Sequence, residues 1–197
     1  MSSGFGIRPR PGIFWGEMAA HEHIAQFYES DDTLLESLTG FVVSGLNRDE
    51  SVILIATPDH LRSLNRILIE AGVDIDTAAA EDRYITLDAR MGLASFMVKG
   101  WPDAQRFHEF ASLLLRRAGS DFRHVRIFGE MVGVLWARGQ STPTVQLEQL
   151  WQQLCSANPI SLFCAYPRDV LTRMQAESLA GICLAHTHIL SATVVFS

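Results

Sequence analysis

Short continuous apolar runs alternate along the chain with stretches in which apolar residues recur every three or four positions. His23-Ile24-Ala25-Gln26-Phe27-Tyr28 predicts a strand, and Ser30 or Asp31 caps a helix whose Leu34, Leu35, Leu38, Phe41 and Val42 share one face. Ser51 to Ala56 reads as a strand covered on both faces, the pattern of a parallel sheet. Thr57-Pro58 opens a helix bearing Leu61, Leu64, Ile67 and Leu68, and Gly72 lies just behind its end. Tyr84 to Leu87 is the next strand, followed by helical segments through Phe96 and from Phe107 to Leu115. Val125 to Phe128 is another strand. Thr142 then caps a helix bearing Val145, Leu147, Leu150, Trp151 and Leu154, and Ile160 to Ala165 is the last clear central strand. The alternation predicts a three-layer α/β fold with a mainly parallel sheet and helices on both faces. Residues 1–20 mix Gly, Pro and Arg without a period and read as a flexible leader; residues 21–197 form one domain.

Composition narrows the function. The 197 residues suffice for one core, and 48% hydrophobic with 19% charged residues excludes disorder. The net charge of −6 would repel a phosphate backbone, so nucleic acid is not an expected partner. Cys155, Cys164 and Cys183 have no C-x-x-C spacing, which argues against a disulfide framework and a thiolate zinc site and fits a reducing cytoplasm. No segment reads as an export signal. Residues 178–197 lack Asp, Glu, Lys and Arg, but His186, Thr187, His188 and Ser191 would lack partners in hydrocarbon, so this tail is expected to be buried in protein rather than membrane.

In an open α/β sheet the ligand crevice lies beyond the carboxyl ends of the strands. The first such loop, Phe27 to Thr33, has no Gly or Lys to cradle phosphate and instead carries Glu29, Asp31 and Asp32. Binding of ATP in the usual manner is not expected. Asp31 and Asp32 also suit a helix N-terminus, where they complement its dipole. Glu130, directly after Val125 to Gly129, faces the same crevice. It can bind a polar ligand, hold a metal or act as a base, or it can pair with Arg123 or Arg126.

Two H-x-H pairs, His21/His23 and His186/His188, lie near opposite ends of the domain. On a strand the first pair shares a face, whereas on a helix the second pair diverges by roughly 200°. With no cysteine ligand nearby, a metal at His21, His23, His186 and His188 stands beside capping and core roles for these imidazoles. His60, His108 and His124 carry no functional reading. Trp101, Trp136 and Trp151, with Phe27, Tyr28 and Tyr166, would line an apolar pocket or simply fill the core. There is no G-x-S-x-G elbow and no cysteine at a basic helix start, so nucleophilic catalysis has no support.

Ordered blocks of residues carry a family resemblance. They are His21-x-His23-Ile24-x-Gln26-Phe27-Tyr28, Asp49 to Pro58 with His60, Leu87-Asp88-Ala89, Phe128-Gly129-Glu130-Met131-Val132-x-Val134-Leu135-Trp136, Leu147-Glu148-x-Leu150-Trp151 and Leu162 to Pro167. Together they resemble the MEDS domain, a sensory module of methanogens and methylotrophs named partly for a dichloromethane-responsive regulator. The resemblance is strongest over 21–167, with an echo at Ile182-Cys183-x-Ala185-His186-x-His188. It implies a RecA/KaiC-like core without its phosphate-binding loop, and sensing rather than hydrolysis.

The resulting expectation is a non-enzymatic sensory or regulatory domain without a required cofactor. Its crevice would hold His21, His23, Tyr28, Glu130, Trp136 and Tyr166 around a small organic ligand or a partner protein. Few residues follow Pro167, so signalling to a histidine kinase or transcription regulator would act in trans. The rivals are a metal-assisted or acid/base enzyme using Glu130 and histidines, and a degenerate RecA-like scaffold that assembles as an oligomer.

Overall fold

A computed structural model describes residues 15–119, 123–168 and 176–191. Six strands form one parallel sheet: β1 (His23–Tyr28), β2 (Ser51–Ala56), β3 (Tyr84–Asp88), β6 (Val125–Gly129), β7 (Ile160–Pro167) and β8 (His188–Ser191). Their spatial order is β3-β2-β6-β7-β1-β8. A small antiparallel ribbon, β4 (Met97–Val98) with β5 (Trp101–Pro102), stands apart from it. Among the central strands, β1, β2 and β6 are buried at every position, which is why Val52 to Ala56 runs apolar without alternation, while His23, Gln26 and Arg126 are buried polar exceptions in the other two.

Helices cover both faces. On one side α1 (Asp31–Asn47), α2 (Pro58–Glu70) and α3 (Ile75–Ala80) pack Leu34, Leu38, Leu64, Leu68 and Ile75 against Val52, Leu54, Phe128 and Phe163. On the other, α4 (Ala89–Phe96), α5 (Ala104–Ala118), α6 (Met131–Ala137), α7 (Ser141–Ala157) and α8 (Ala176–Ala185) enclose Phe27, Ile53, Ile127, Leu162 and Tyr166. This is the expected three-layer α/β class. Ser30 caps α1 by accepting from the Thr33 amide, as its sequence position predicts. At Gly133 a Cβ would lie 2.8 Å from the Ala165 carbonyl oxygen, so only glycine lets α6 approach β7 so closely.

Several expectations are corrected. Gln140, not Thr142, precedes α7, and its carbonyl accepts from the Thr144 amide and hydroxyl at 3.0 and 2.8 Å. Pro143 is tolerated because the first helical turn needs no N–H from it. Part of the anticipated leader is packed: the Trp15 ring lies 4.9 Å from Phe163 and 5.4 Å from Phe41, and Met18 is buried. Residues 1–14 lie outside the described part. Of the uncharged tail, the described part is only partly covered. Ile182 and Ala185 are buried, whereas Leu184 and Ile189 are exposed, and residues 192–197 lie outside the described part. The tail nevertheless adds strand β8 to the β1 edge.

Candidate functional site

The strand β2 is followed by α2 on one face of the sheet, and its neighbour β6 is followed by α6 on the other. Connections that part in this way open a crevice at the strand ends. Glu130, at the end of β6, places its carboxylate there. One oxygen accepts from the Thr57 amide at 2.7 Å, and the other accepts from His60 Nδ1 at 2.9 Å. The second nitrogen of His60 lies 3.3 Å from Asp31 at the start of α1. Thr57 makes no side-chain cap for α2, so the Glu130 carboxylate supplies negative charge at that helix start.

This arrangement decides against one open pairing and adds a residue to the crevice. Glu130 does not pair with Arg126, whose guanidinium lies on the α1 side of the sheet against Glu50, the Trp15 carbonyl and the Phe41 ring. His60, to which the sequence assigned no function, is the side chain that joins two carboxylates. The hydrogen bond that His60 donates to Glu130 raises the His60 pKa above 6.5; burial opposes this, and the charges of Glu130 and Asp31 reinforce it. The signal was its place two residues after Pro58, in the first turn beyond β2.

The remaining predicted residues do not gather in this crevice. Tyr28 packs on the α1 face, whereas Tyr166 and Trp136 pack on the α7 face, their rings 6.4 Å apart. Phe27 stacks on Tyr166 at 5.4 Å. Trp151 is core, and Trp101 is exposed on the small ribbon. The aromatics are therefore packing rather than the lining of one shared pocket. His21 is exposed, its Nδ1 donating to the Cys155 carbonyl at 2.8 Å, and His188 lies 3.7 Å from Glu22 at the surface.

His23 and His186 do meet, with ring centroids 3.9 Å apart. His186 follows the end of α8 and His188 lies on β8, so the predicted helical divergence of this pair does not arise. Both rings face Glu148, a fully buried carboxylate on α7: His23 Nε2 is 3.4 Å from Oε2 and His186 Nε2 is 3.5 Å from Oε1. Cys164 on β7 joins them, its sulfur 3.4 Å from His23 Nε2 and 3.6 Å from Glu148. A cysteine thus stands beside the histidines, contrary to expectation, because the middle of β7 lies beneath α7. Tyr166 donates its hydroxyl to Glu148 Oε1.

Burial raises the pKa of Glu148, but His186, His23 and Tyr166 outweigh it and hold the carboxyl below its ordinary range. Burial lowers the pKa of His186. Burial, with the Glu148 charge, pushes the Cys164 thiol well above its ordinary value, and burial alone takes Cys155 to about 11. Glu148 escaped the sequence reading. Its signal was an acid within the stripe Thr144, Leu147, Trp151, Leu154 and Cys155, all buried in the structure.

The model of the MEDS family, described as MEthanogen/methylotroph, DcmR Sensory domain, matches residues 22–187. The chain belongs to the MEDS family. The match reaches beyond Pro167 to residue 187, so the MEDS unit includes α8 and His186 and stops just before β8. A solved structure from Pyrococcus horikoshii OT3, described as a structural study of Project ID PH0250, is similar in fold to this MEDS domain. Its TM-score is 0.56 at 13% identity, over 91% of this chain and 86% of that one. No curated protein matches the chain. MEDS is a sensory family, and that assigns the domain a sensory or regulatory class of role. Among the described residues, no helix is long and apolar enough to cross a membrane.

Proposed function

We propose that this MEDS domain detects a small polar or halogenated organic molecule at the crevice formed by Glu130, Thr57, His60 and Asp31, and passes the result in trans to a separate signalling protein. The observation that carries this reading is the Glu130 carboxylate, which joins the end of β6 to the start of α2. A ligand able to take the Thr57 amide or His60 would replace Glu130 there and shift the population of α2 positions. The same helix bears exposed Ile69 near its other end, so its displacement would alter the surface offered to a partner. The reading is non-enzymatic: the crevice groups bind and orient, and no activated nucleophile accompanies them.

A melting screen of small halogenated and polar organics tests the proposal. At least one compound is expected to stabilise the wild type, to change hydrogen exchange at the start of α2, and to lose both effects in His60→Ala, which removes the imidazole the ligand takes from Glu130. Stabilisation that persists in that variant would overturn the crevice assignment. If no compound acts and no signalling protein co-purifies, the sensor reading falls. Turnover of a compound that depends on Glu130 and His60 would favour the acid/base enzyme instead.

The crevice also predicts a pH dependence. Only the imidazolium donates from both nitrogens, to Glu130 and to Asp31. Because the folded pKa of His60 is raised, its stabilising contribution is complete below the unfolded value and is lost as pH rises through the folded one. The difference in melting temperature between wild type and Glu130→Gln should therefore shrink as the pH rises above the ordinary imidazole value and through the raised folded one. It should not vanish, because the Thr57 amide bonds more strongly to a charged carboxylate than to the neutral amide oxygen of glutamine, and that difference does not titrate in this range.

A further inference from the structure

The four side chains under α7 carry a second inference, independent of the crevice. His186 Nδ1 lies 2.7 Å from the Ile182 carbonyl, which can only accept, so Nδ1 carries the proton and Nε2 presents a lone pair. That Nε2 is buried and has no hydrogen-bond partner. His23 is held in the same sense: its Nδ1 lies 3.0 Å from Gln152 Oε1, and the Gln152 amide nitrogen donates to Ser156, which leaves His23 Nε2 as the lone pair, facing the Cys164 sulfur at 3.4 Å. Two imidazole lone pairs thus converge on a carboxylate, and all three groups are acceptors. The donors present are the Cys164 thiol and the Tyr166 hydroxyl, and neither bonds to His186.

We infer that His23, Glu148, Cys164 and His186 form a closed tetrahedral site for a divalent transition-metal ion of the zinc type. The donor atoms lie within 4.8 Å of one another, and four of the separations, His23 and Cys164 to Glu148 Oε2, His186 to Glu148 Oε1, and His23 to Cys164, are 3.4 to 3.6 Å, close to the edges of the required tetrahedron. Bonds of about 2.0–2.3 Å hold tetrahedral donors about 3.3–3.8 Å apart. Charge agrees as well. One carboxylate and one thiolate neutralise a divalent cation, so the occupied site is electrically neutral, as a site with no exposure to water requires. Gln152 and Ile182 orient the imidazoles and Tyr166 orients the carboxylate, the supporting contacts that metal ligands commonly have.

On binding, the ion displaces the thiol proton of Cys164 to solvent, with no change of oxidation state. Four protein donors leave no position for water, so the ion is structural or regulatory rather than catalytic. It ties β1, α7 and β7 to the connection between α8 and β8, and so holds the edge strand in place.

Cobalt(II) titration of the chelator-treated full chain tests the inference. One equivalent should give intense visible bands of tetrahedral cobalt and a thiolate-to-cobalt charge-transfer band in the near ultraviolet, and zinc should abolish both. Zinc at about a hundredfold excess over its dissociation constant should raise the melting temperature by about 5 °C or more. Cys164→Ser should lose the charge-transfer band, and His186→Ala should weaken binding by about 100-fold or more, whereas the surface variant His108→Ala should do neither. Weak octahedral bands, no binding, or unchanged spectra in Cys164→Ser would overturn the site. Should that variant fail to fold, the charge-transfer band of the wild type still reports directly whether a thiolate is bound.

Discussion

Replacing Arg126 with methionine is expected to destabilise the fold by about 3–5 kcal/mol, because it leaves Glu50 as a nearly buried charge without its main partner. Arg126 is fully buried in a central strand. Its guanidinium donates to Glu50 and to the Trp15 carbonyl, the latter at 2.7 Å, and it lies 5.8 Å from the centre of the Phe41 ring. Gly45 makes room for it: a Cβ there would lie 3.2 Å from Arg126 Cδ and 2.8 Å from Val52. Arg48 also reaches Glu50, at 3.2 Å, but from the surface, where it compensates weakly. Thermal unfolding should show a fall of about 10 °C. The double variant Arg126→Met/Glu50→Leu is expected to recover at least half of the loss, since apolar replacement of both partners removes the stranded charge. A double variant no better than the single one would show that the guanidinium acts mainly through Trp15 and Phe41.

Phe163→Ala should cost about as much, about 3–5 kcal/mol, by a different route. The ring is fully buried on β7 and meets Trp15, Phe128 and Phe41 at centroid distances of 4.9, 5.1 and 5.6 Å. Phe128 is held on the neighbouring strand and Phe41 on α1, so the space left by the ring cannot close without moving the sheet or a helix. Trp15 is the neighbour freest to shift, and its fluorescence should redden as it loses its cover. Denaturant unfolding should show the lower midpoint with an unchanged slope. The exposed Leu113→Ala should stay within about 0.5 kcal/mol of wild type. A Phe163→Ala cost below about 1 kcal/mol would mean that Trp15 fills the gap and that the N-terminal turn is a looser part of the core than its contacts imply.

Much of the architecture was legible in the residues. The run Ser51 to Ala56 becomes a strand buried on both faces, Ser30 and Thr57-Pro58 open the helices expected of them, and Glu130 stands at a strand end. What misled was partnership. Arg126 was a plausible partner for Glu130 by nearness in sequence, yet residues four apart on a strand whose end turns into a helix need not share a face. Arg126 points under α1, whereas Glu130 turns across the sheet end to Thr57 and His60. The second cluster was harder to see. Glu148 looks like an isolated acid in an apolar stripe, and Cys164 like one more small apolar residue in a buried run.

The amino-acid sequence alone determined the α/β class, the parallel sheet, the helix starts and the MEDS membership, because periodicity, capping and ordered motif blocks are local properties of the chain. Only the tertiary structure decided that His60 joins Glu130 to Asp31, that His21 and His188 fall to the surface, and that His23 and His186 close on Glu148 and Cys164. The reason is physical. Period tells a side chain which face to take, but the order of the strands in the sheet and the placement of α7 and α8 over β1 and β7 decide which distant side chain it meets.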